Sequence, residues 1–491
     1  MKAEVCLISP PGRANSPYPP LALMYIAASL EKAGIQTNII DVKSYYHKSM
    51  SEELKQKVVK IILENVAEIE PVLVGITCLV TEVKEVLDLS NGIKKIVKGT
   101  KVAVGGIHPT MYPGEFLYKN SPVDYVVIGE GEQTVPELAR TVKGEGDLKD
   151  ILGIAWLDNG RVWRTGPRPV IENLDELPFP QYSKVNAEYY FRPNIHAIRP
   201  MLLSTAFIFT SRGCPFRCTF CVNKNIQSIM GSTKLVRSRS VKNAVNEIEC
   251  LAKEYLIDGF YIWDDTFCLK KNYVLEFCKE LSSRNLNLIW AAETRVNLVS
   301  EDMIQAMKDA GCVQIDFGVE SGSEEVLARI KKGITVGQVK NAFHICHNVG
   351  MRTLANFMFN TPGETENDVN KTLDLAREIR ADSYNFALTT PFPGTDLYNE
   401  IEPKLTVDEY SLLKEAKGTI TDPRFKLAKH CLDLSKLVND ANPSFNTLRK
   451  RISIVLSRKY FGRMLRSKRK GGYAFALLDL FGLFIRRRGR T

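Results

Sequence analysis

The sequence predicts an α/β protein in two parts, an open parallel sheet covered by helices and then a (β/α)6 partial barrel, followed by a basic helical tail. Three observations carry this. Five short apolar runs recur near the N-terminus, each followed by a stretch of helical spacing. Six longer strand–helix units begin at residue 206. The final residues change to basic and apolar clusters. Strands that read as continuous apolar runs, without polar alternation, are buried on both faces, as parallel sheets require.

The elements follow in order. Val5 to Ile8 is the first strand, ending at Ser9-Pro10-Pro11-Gly12. Leu21 to Ala33 has helical spacing and stops at Gly34. Thr37 to Asp41 is a strand, Leu54 to Ile69 an amphipathic helix, Leu73 to Thr77 a strand and Glu82 to Val97 a helix. Val102 to Gly106 and Tyr125 to Gly129 are the fourth and fifth strands, completing a domain over residues 1–150. In residues 151–205 the pattern breaks. Ile154 to Leu157 and Val162 to Arg164 flank the hairpin signal Asp158-Asn159-Gly160, and Asn173 to Pro180 is an extended connector, so the stretch reads as a linker. The barrel occupies residues 206–400. Its strands are Phe207 to Thr210, Gly259 to Trp263, Asn287 to Ala291, Val313 to Gly318, Thr353 to Phe359 and Ser383 to Leu388. Its helices are Lys242 to Glu254, Asn272 to Ser283, Glu301 to Ala310, Thr335 to Val349 and Glu366 to Ile379. Residues 401–491 read as a helical extension.

One loop stands apart. In Ser211-Arg212-Gly213-Cys214-Pro215-Phe216-Arg217-Cys218-Thr219-Phe220-Cys221, three cysteines take C-x3-C-x2-C spacing just after the first barrel strand, where barrel chemistry sits. So short a loop can set three thiolates at three corners of an iron–sulfur cube, a group usually held by four. The fourth corner is left open to another ligand. The competing reading is a zinc loop, but zinc takes four ligands, and the next candidate is Cys250. The other cysteines, Cys6, Cys78, Cys250, Cys268, Cys278, Cys312, Cys346 and Cys431, lie mostly in apolar segments and read as buried thiols.

Residues 1 to about 400 resemble the cobalamin-binding branch of the radical S-adenosylmethionine (SAM) family, in which a flavodoxin-like domain precedes a six-stranded partial TIM barrel. Pro10-Pro11, Gly105-Gly106-Ile107-His108-Pro109, Ile128-Gly129-Glu130-Gly131-Glu132, Leu174-Asp175-Glu176-Leu177-Pro178, the cysteine loop, Gly318-Val319-Glu320-Ser321-Gly322 and Pro391-Phe392-Pro393-Gly394-Thr395 stand in the family's order. The resemblance implies that Cys214, Cys218 and Cys221 hold a 4Fe–4S cluster, that its open iron chelates SAM, and that one electron cleaves SAM to a 5′-deoxyadenosyl radical. Phe220 is implied to screen the cluster from water. Asp264 or Asp265, in Trp263-Asp264-Asp265-Thr266 where the family usually has Gly-Gly-Glu, and Glu320 are implied SAM contacts. Arg295 either pairs the SAM carboxylate bidentately or makes a plain salt bridge. Asn360 to Glu364 would carry the adenine. Cobalamin is implied in the first domain, at the strand-end residues Pro10, Pro11, Thr77, Gly105, Gly106, His108, Gly129, Glu130 and Gly131. Gly105 and Gly106 permit close backbone approach to a large flat ligand. The family's Asp-x-His-x-x-Gly motif is missing, since the region reads Ile40-Asp41-Val42-Lys43-Ser44-Tyr45. Cobalamin without a histidine ligand is therefore expected, and His108 is read as an ordinary strand-end loop residue in preference to a ligand.

Composition is that of an ordinary globular protein, with 44% hydrophobic and 25% charged residues among 491. Eleven cysteines without a paired framework, and no signal peptide, point to the cytoplasm. The net charge of +10 belongs to the tail: residues 449–491 carry fourteen Lys/Arg and one acid, Asp479. There the apolar segment Tyr473 to Ile485 is bracketed by arginines, which suits peripheral contact with the inner face of an anionic membrane, or a helix docked on the barrel. Nucleic acid is disfavoured, because no stacking platform accompanies the charge. The reading is a cobalamin-dependent C-methyltransferase acting on a small-molecule or lipid substrate of hydrophobic character, with a flavodoxin or ferredoxin-like electron donor. The alternatives are a radical cyclisation or rearrangement of the porphyrin-cyclase kind and a non-catalytic cobalamin- or SAM-binding module.

Overall fold

The computed structural model describes residues 3–11, 18–45, 51–415 and 422–446, which fall into two compact units. Both are discontinuous in sequence. Of the described residues, the first unit takes those within 3–187, 219–237 and 390–415, and the second those within 188–218, 238–389 and 422–446.

The first unit is built on β1 (Val5–Ser9), β2 (Thr37–Asp41), β3 (Leu73–Thr77), β4 (Lys101–Gly105), β5 (Tyr125–Val127), β6 (Ile154–Asp158) and β7 (Arg161–Arg164). Their order in the sheet is β2-β1-β3-β4-β5-β6-β7. The first five are mutually parallel. Every residue of β1 is buried, as its unbroken apolar run requires. The connection after β1 runs to β2 on one side and that after β3 to β4 on the other, so the carboxyl ends of β1 and β3 form the switch point where such sheets bind ligands. The hairpin expected in a linker is instead the antiparallel edge of this sheet, with Val126 opposite Ala155 and Trp156 opposite Trp163. Ile154 and Ala155 are fully buried, which is what holds β6 to β5, while β7 is exposed throughout. The helix Gly131–Val142 was not anticipated, since Pro136 lies inside it.

The second unit is a six-stranded, all-parallel sheet of Thr205–Ile208, Gly259–Ile262, Ile289–Thr294, Cys312–Glu320, Arg352–Phe359 and Ser383–Leu388, adjacent in that order. Helices alternate with the strands as the partial barrel predicts. Their starts are set by local chemistry: Thr335 and Gln338, and Thr365 and Asp368, form reciprocal capping boxes. Gly350, at φ 71°, ends the helix Val336–Val349 in the left-handed region. The third strand starts later than expected because Asn287 turns the chain at φ 52°. Between strands and helices, Trp290 is fully buried, stacked on Phe260 at 5.8 Å and met edge-on by Phe267 and Phe277. Truncating an indole so placed costs about 3–5 kcal/mol. Of the eight cysteines outside the loop, Cys250 and Cys431 are exposed and the rest are buried. Among the described residues no helix is long and apolar enough to cross a membrane. The charged tail, 449–491, lies outside the described residues.

Candidate functional site

The loop after the first barrel strand is braced by Asp264. This carboxylate, 2% exposed, accepts the backbone N–H groups of Thr210 (2.7 Å) and Ser211 (3.1 Å) and the hydroxyls of both, that of Ser211 at 2.7 Å. Burial pushes its pKa up, and these hydrogen bonds oppose the shift. Asp264 is thus occupied in shaping the turn into Cys214. Asp265, by contrast, is exposed. Asp264→Asn turns an N–H toward hydrogen-bond donors. We expect it to cost about 1–3 kcal/mol in urea unfolding and to lower the iron content of reconstituted protein. An unchanged unfolding midpoint would show that the carboxylate does not hold the loop.

Cys214 is half-buried, 3.8 Å from the Thr266 hydroxyl, and burial pushes its thiol up. Cys218 is 9% exposed. Both belong to the second unit, whereas Cys221, half-buried like Phe220, is counted with the first; the C-x3-C-x2-C spacing is what joins the three. Among the described residues no three His, Cys, Asp or Glu side chains converge on one ion, as a zinc loop would require. A cube hangs its thiolates on separate irons and spaces them more widely. None of the three loop cysteines is in a disulfide, which leaves their sulfurs able to ligate an open-cornered cube.

Arg295 lies against this loop. Its guanidinium is 3.6 Å from the Phe216 ring centroid, its Nη1 is 3.7 Å from the Cys218 sulfur, and its Nη2 donates to the Lys332 carbonyl. At 5% exposure it is neither the plain surface salt bridge nor, as placed, an open carboxylate clamp. A donor to a cluster sulfur tunes the cluster's potential. Glu320, at φ 68°, is ion-paired with Lys332 at 2.6 Å, both side chains about nine-tenths buried. Gly318 makes room for that pair: a Cβ there would lie 2.5 Å from Glu320 Oε1 and 2.7 Å from Lys332 Nζ. Gly322 has its own reason, since a Cβ would lie 2.3 Å from the Lys371 carbonyl oxygen. The backbone at Asn360–Glu364, expected to carry adenine, is engaged by residues 425–429. The Asn360 side chain bonds Phe425, Leu427 and Ala428, and Gly363 N–H donates to Leu427. Sequence reasoning missed this clasp, and only the unspecific Asn360 marked it.

In the first unit, Pro10 and Pro11 are buried beyond β1, and Thr77 ends β3 half-buried. A Cβ on Gly105, at the end of β4, would meet only Val127, at an ordinary 3.5 Å. That glycine is not required by its protein neighbours, and its bare backbone fits a large flat ligand. Gly106 is required: its φ is 110° and a Cβ would lie 3.0 Å from the Cys78 carbonyl. Gly129 (φ 82°) has its N–H bonded to Thr110, and Gly131 packs on Ile26. Glu130 is committed elsewhere, to Arg237 at 2.7 Å and to the N–H of Ile171. His108 is 2% exposed, with Nε2 2.8 Å from Glu115, which also accepts the Tyr410 hydroxyl. Tyr112, Phe116 and Tyr410 enclose its ring.

A six-stranded parallel barrel sheet with a three-cysteine loop after its first strand, preceded in the same chain by an open parallel sheet, is the architecture expected of a cobalamin-binding radical enzyme. The family model described as the radical SAM superfamily matches residues 208–376, and that of the B12 binding domain matches residues 12–139. The chain belongs to the radical SAM superfamily and carries a B12-binding domain. It is 33% identical to an uncharacterized methyltransferase of Pyrococcus horikoshii, across 87% of each chain. It is 30% identical to the anaerobic magnesium-protoporphyrin IX monomethyl ester cyclase of Rubrivivax gelatinosus, over 80% of this chain and 68% of that one. The fold is shared with the radical SAM methyltransferase TsrM from Kitasatospora setae (TM-score 0.65, 20% identity, 81% of this chain and 76% of that one). The protein is an enzyme of this class, and its cofactors are a 4Fe–4S cluster, SAM and cobalamin.

Proposed function

We propose that this enzyme transfers a methyl group to an unactivated carbon of its substrate. The observation that carries the reading is the 33% identity with a methyltransferase over 87% of both chains. The cyclase likeness is weaker and covers less of its relative, and the same residues would serve it. When bound, the reduced cluster supplies the electron that cleaves SAM, and cobalamin carries the methyl group. The chain's own residues do the rest. Cys214, Cys218 and Cys221 ligate, while Arg295 donates to the Cys218 sulfur and Phe220 keeps water away. Asp265 takes the SAM ammonium. Cobalamin would be held at the β1 and β3 ends, where Gly105 leaves the backbone bare, within the domain read as 1–150, and SAM cleavage would belong to the barrel read as 206–400. The electron comes from a flavodoxin or ferredoxin-like donor in the cytoplasm, and residues 449–491 provide peripheral membrane contact.

The test uses full-length protein reconstituted anaerobically with iron, sulfide and cobalamin. Given SAM and a strong reductant, it is expected to form 5′-deoxyadenosine and S-adenosylhomocysteine. Formation of neither, by protein that retains both iron and cobalamin, would sink the reading. His108→Ala is expected to leave the cobalamin spectrum unchanged, because the imidazole is already bound to Glu115. A shift in that spectrum would make His108 a ligand.

A further inference from the structure

The interior face of the barrel sheet holds hydrogen-bonding groups that the described residues do not satisfy. Ala291 is in register with Gln314, Glu293 with Asp316, Gly318 with Asn356, and Asn356 with Asn385. Register partners in a parallel sheet share a face, and successive residues alternate faces. These residues therefore lie opposite the buried Ala292, Phe317, Phe357 and Phe386, which pack outward.

In the lower layer of this face Asp316 and Gln314 are paired, while Arg352 Nε and Nη1 are buried without a partner among the described residues. The Tyr261 hydroxyl donates to Asp316 at 2.9 Å, Gln314 donates to Asp316 at 2.7 Å, and Arg352 donates to Gln314 at 3.0 Å. The layer nearer the strand ends is different. Glu293, Asn356 and Asn385 are all half-buried. The Asn385 amide donates to the Asn356 carbonyl at 3.1 Å and the Asn356 amide to the Phe317 carbonyl at 3.4 Å, while no described residue meets the Asn385 carbonyl oxygen. The Glu293 carboxyl has no hydrogen-bond partner among the described residues. Burial first, and then Asp316 and Glu320, push it up to about 7. At the other edge of the same sheet, Trp263 and Phe209 are half-buried and stacked, with centroids 5.9 Å apart and planes at 7°, and Phe207 is 5.1 Å from Trp263.

An acyl chain laid against Glu293 and Asn385 would leave buried polar groups unpaired, which opposes binding. A conjugated ring with a polar edge satisfies both walls. Its face meets the aromatic wall at Trp263, and its N–H, O–H or C=O groups meet the Asn385 carbonyl and the Glu293 carboxyl. We propose that this layer recognises the substrate, and that the substrate presents a flat conjugated ring with a hydrogen-bonding edge to Trp263, Asn385 and Glu293. The proposal rests on the methyltransferase reading of the barrel and deepens it by naming the substrate class.

Saturation-transfer NMR on the full-length, reconstituted enzyme with SAM tests it, using nicotinamide as the ring probe and decanoate as the chain probe. Nicotinamide is expected to bind, about tenfold more weakly in Asn385→Leu and in Trp263→Leu, with decanoate showing no transfer. If a leucine variant fails to fold, Asn385→Ser or Trp263→Phe takes its place with the same expectation in smaller measure. Decanoate binding as well as nicotinamide, nicotinamide binding indifferent to both substitutions, or no nicotinamide binding at millimolar concentration would each overturn the proposal. SAM cleavage is measured on the same samples. Its absence in the wild type counts against the methyltransferase reading, whereas its presence with any of those three results counts against the ring site alone.

Discussion

Replacing Cys214, Cys218 and Cys221 together with alanine is expected to remove the cluster outright. Reconstituted wild-type protein should hold about four iron per chain, and the triple variant none. With no fourth thiol in the loop there is nothing to fall back on, and each cysteine replaced exposes one iron to exchange with solvent. Stability should change little by comparison, because Cys214 and Cys221 are only half-buried and alanine leaves the turn held by Asp264. Iron and sulfide analysis, alongside urea unfolding of the unreconstituted protein, separates the two effects. A triple variant that keeps its iron would place the cluster elsewhere.

Glu320→Ala is expected to act on the fold before it acts on SAM. Removing one member of a buried ion pair strands the other, here Lys332, at a cost of about 3–5 kcal/mol. The expected urea midpoint is therefore far below that of the wild type. Glu320→Gln with Lys332→Met should recover most of the loss, since neither charge remains unpaired. Equilibrium dialysis of SAM against the recovered double variant then isolates binding. SAM affinity near wild type would mean that Glu320 supports the site without touching the ligand, and lost affinity in a stable double variant would mean direct contact. A loss below about 1 kcal/mol in Glu320→Ala would refute the buried-pair argument.

Much of the architecture could be read along the chain because its signals are local. Val5 to Ile8, Leu73 to Thr77 and Ser383 to Leu388 are apolar runs with turn residues beside them, and both capping boxes span four residues. The three loop cysteines were visible for the same reason. What escaped depends on distance. Asp264 looked like a ligand because nothing near it in sequence reveals Thr210 and Ser211, more than fifty positions earlier. Arg295 reaches Cys218 across 77 positions. Glu130 looked like a strand-end contact until Arg237 was found beside it. The hairpin at Asp158-Asn159-Gly160 was recognisable, but its place at the sheet edge depends on Ile154 and Ala155 finding β5. Gly106 and Gly105 look alike in sequence, and only the φ of 110° separates a backbone requirement from a ligand clearance.

The discontinuity of the two units bears on how the protein is made. The first unit includes residues 219–237 and 390–415, so its early strands leave the ribosome long before the chain that completes them. Domains tend to fold as units during synthesis, but here the N-terminal one is completed by residues translated after the last barrel strand, Ser383–Leu388. The two halves are thus obliged to mature together. A nascent chain stalled within the barrel would carry an unfinished first unit, with apolar surface exposed for chaperones to hold.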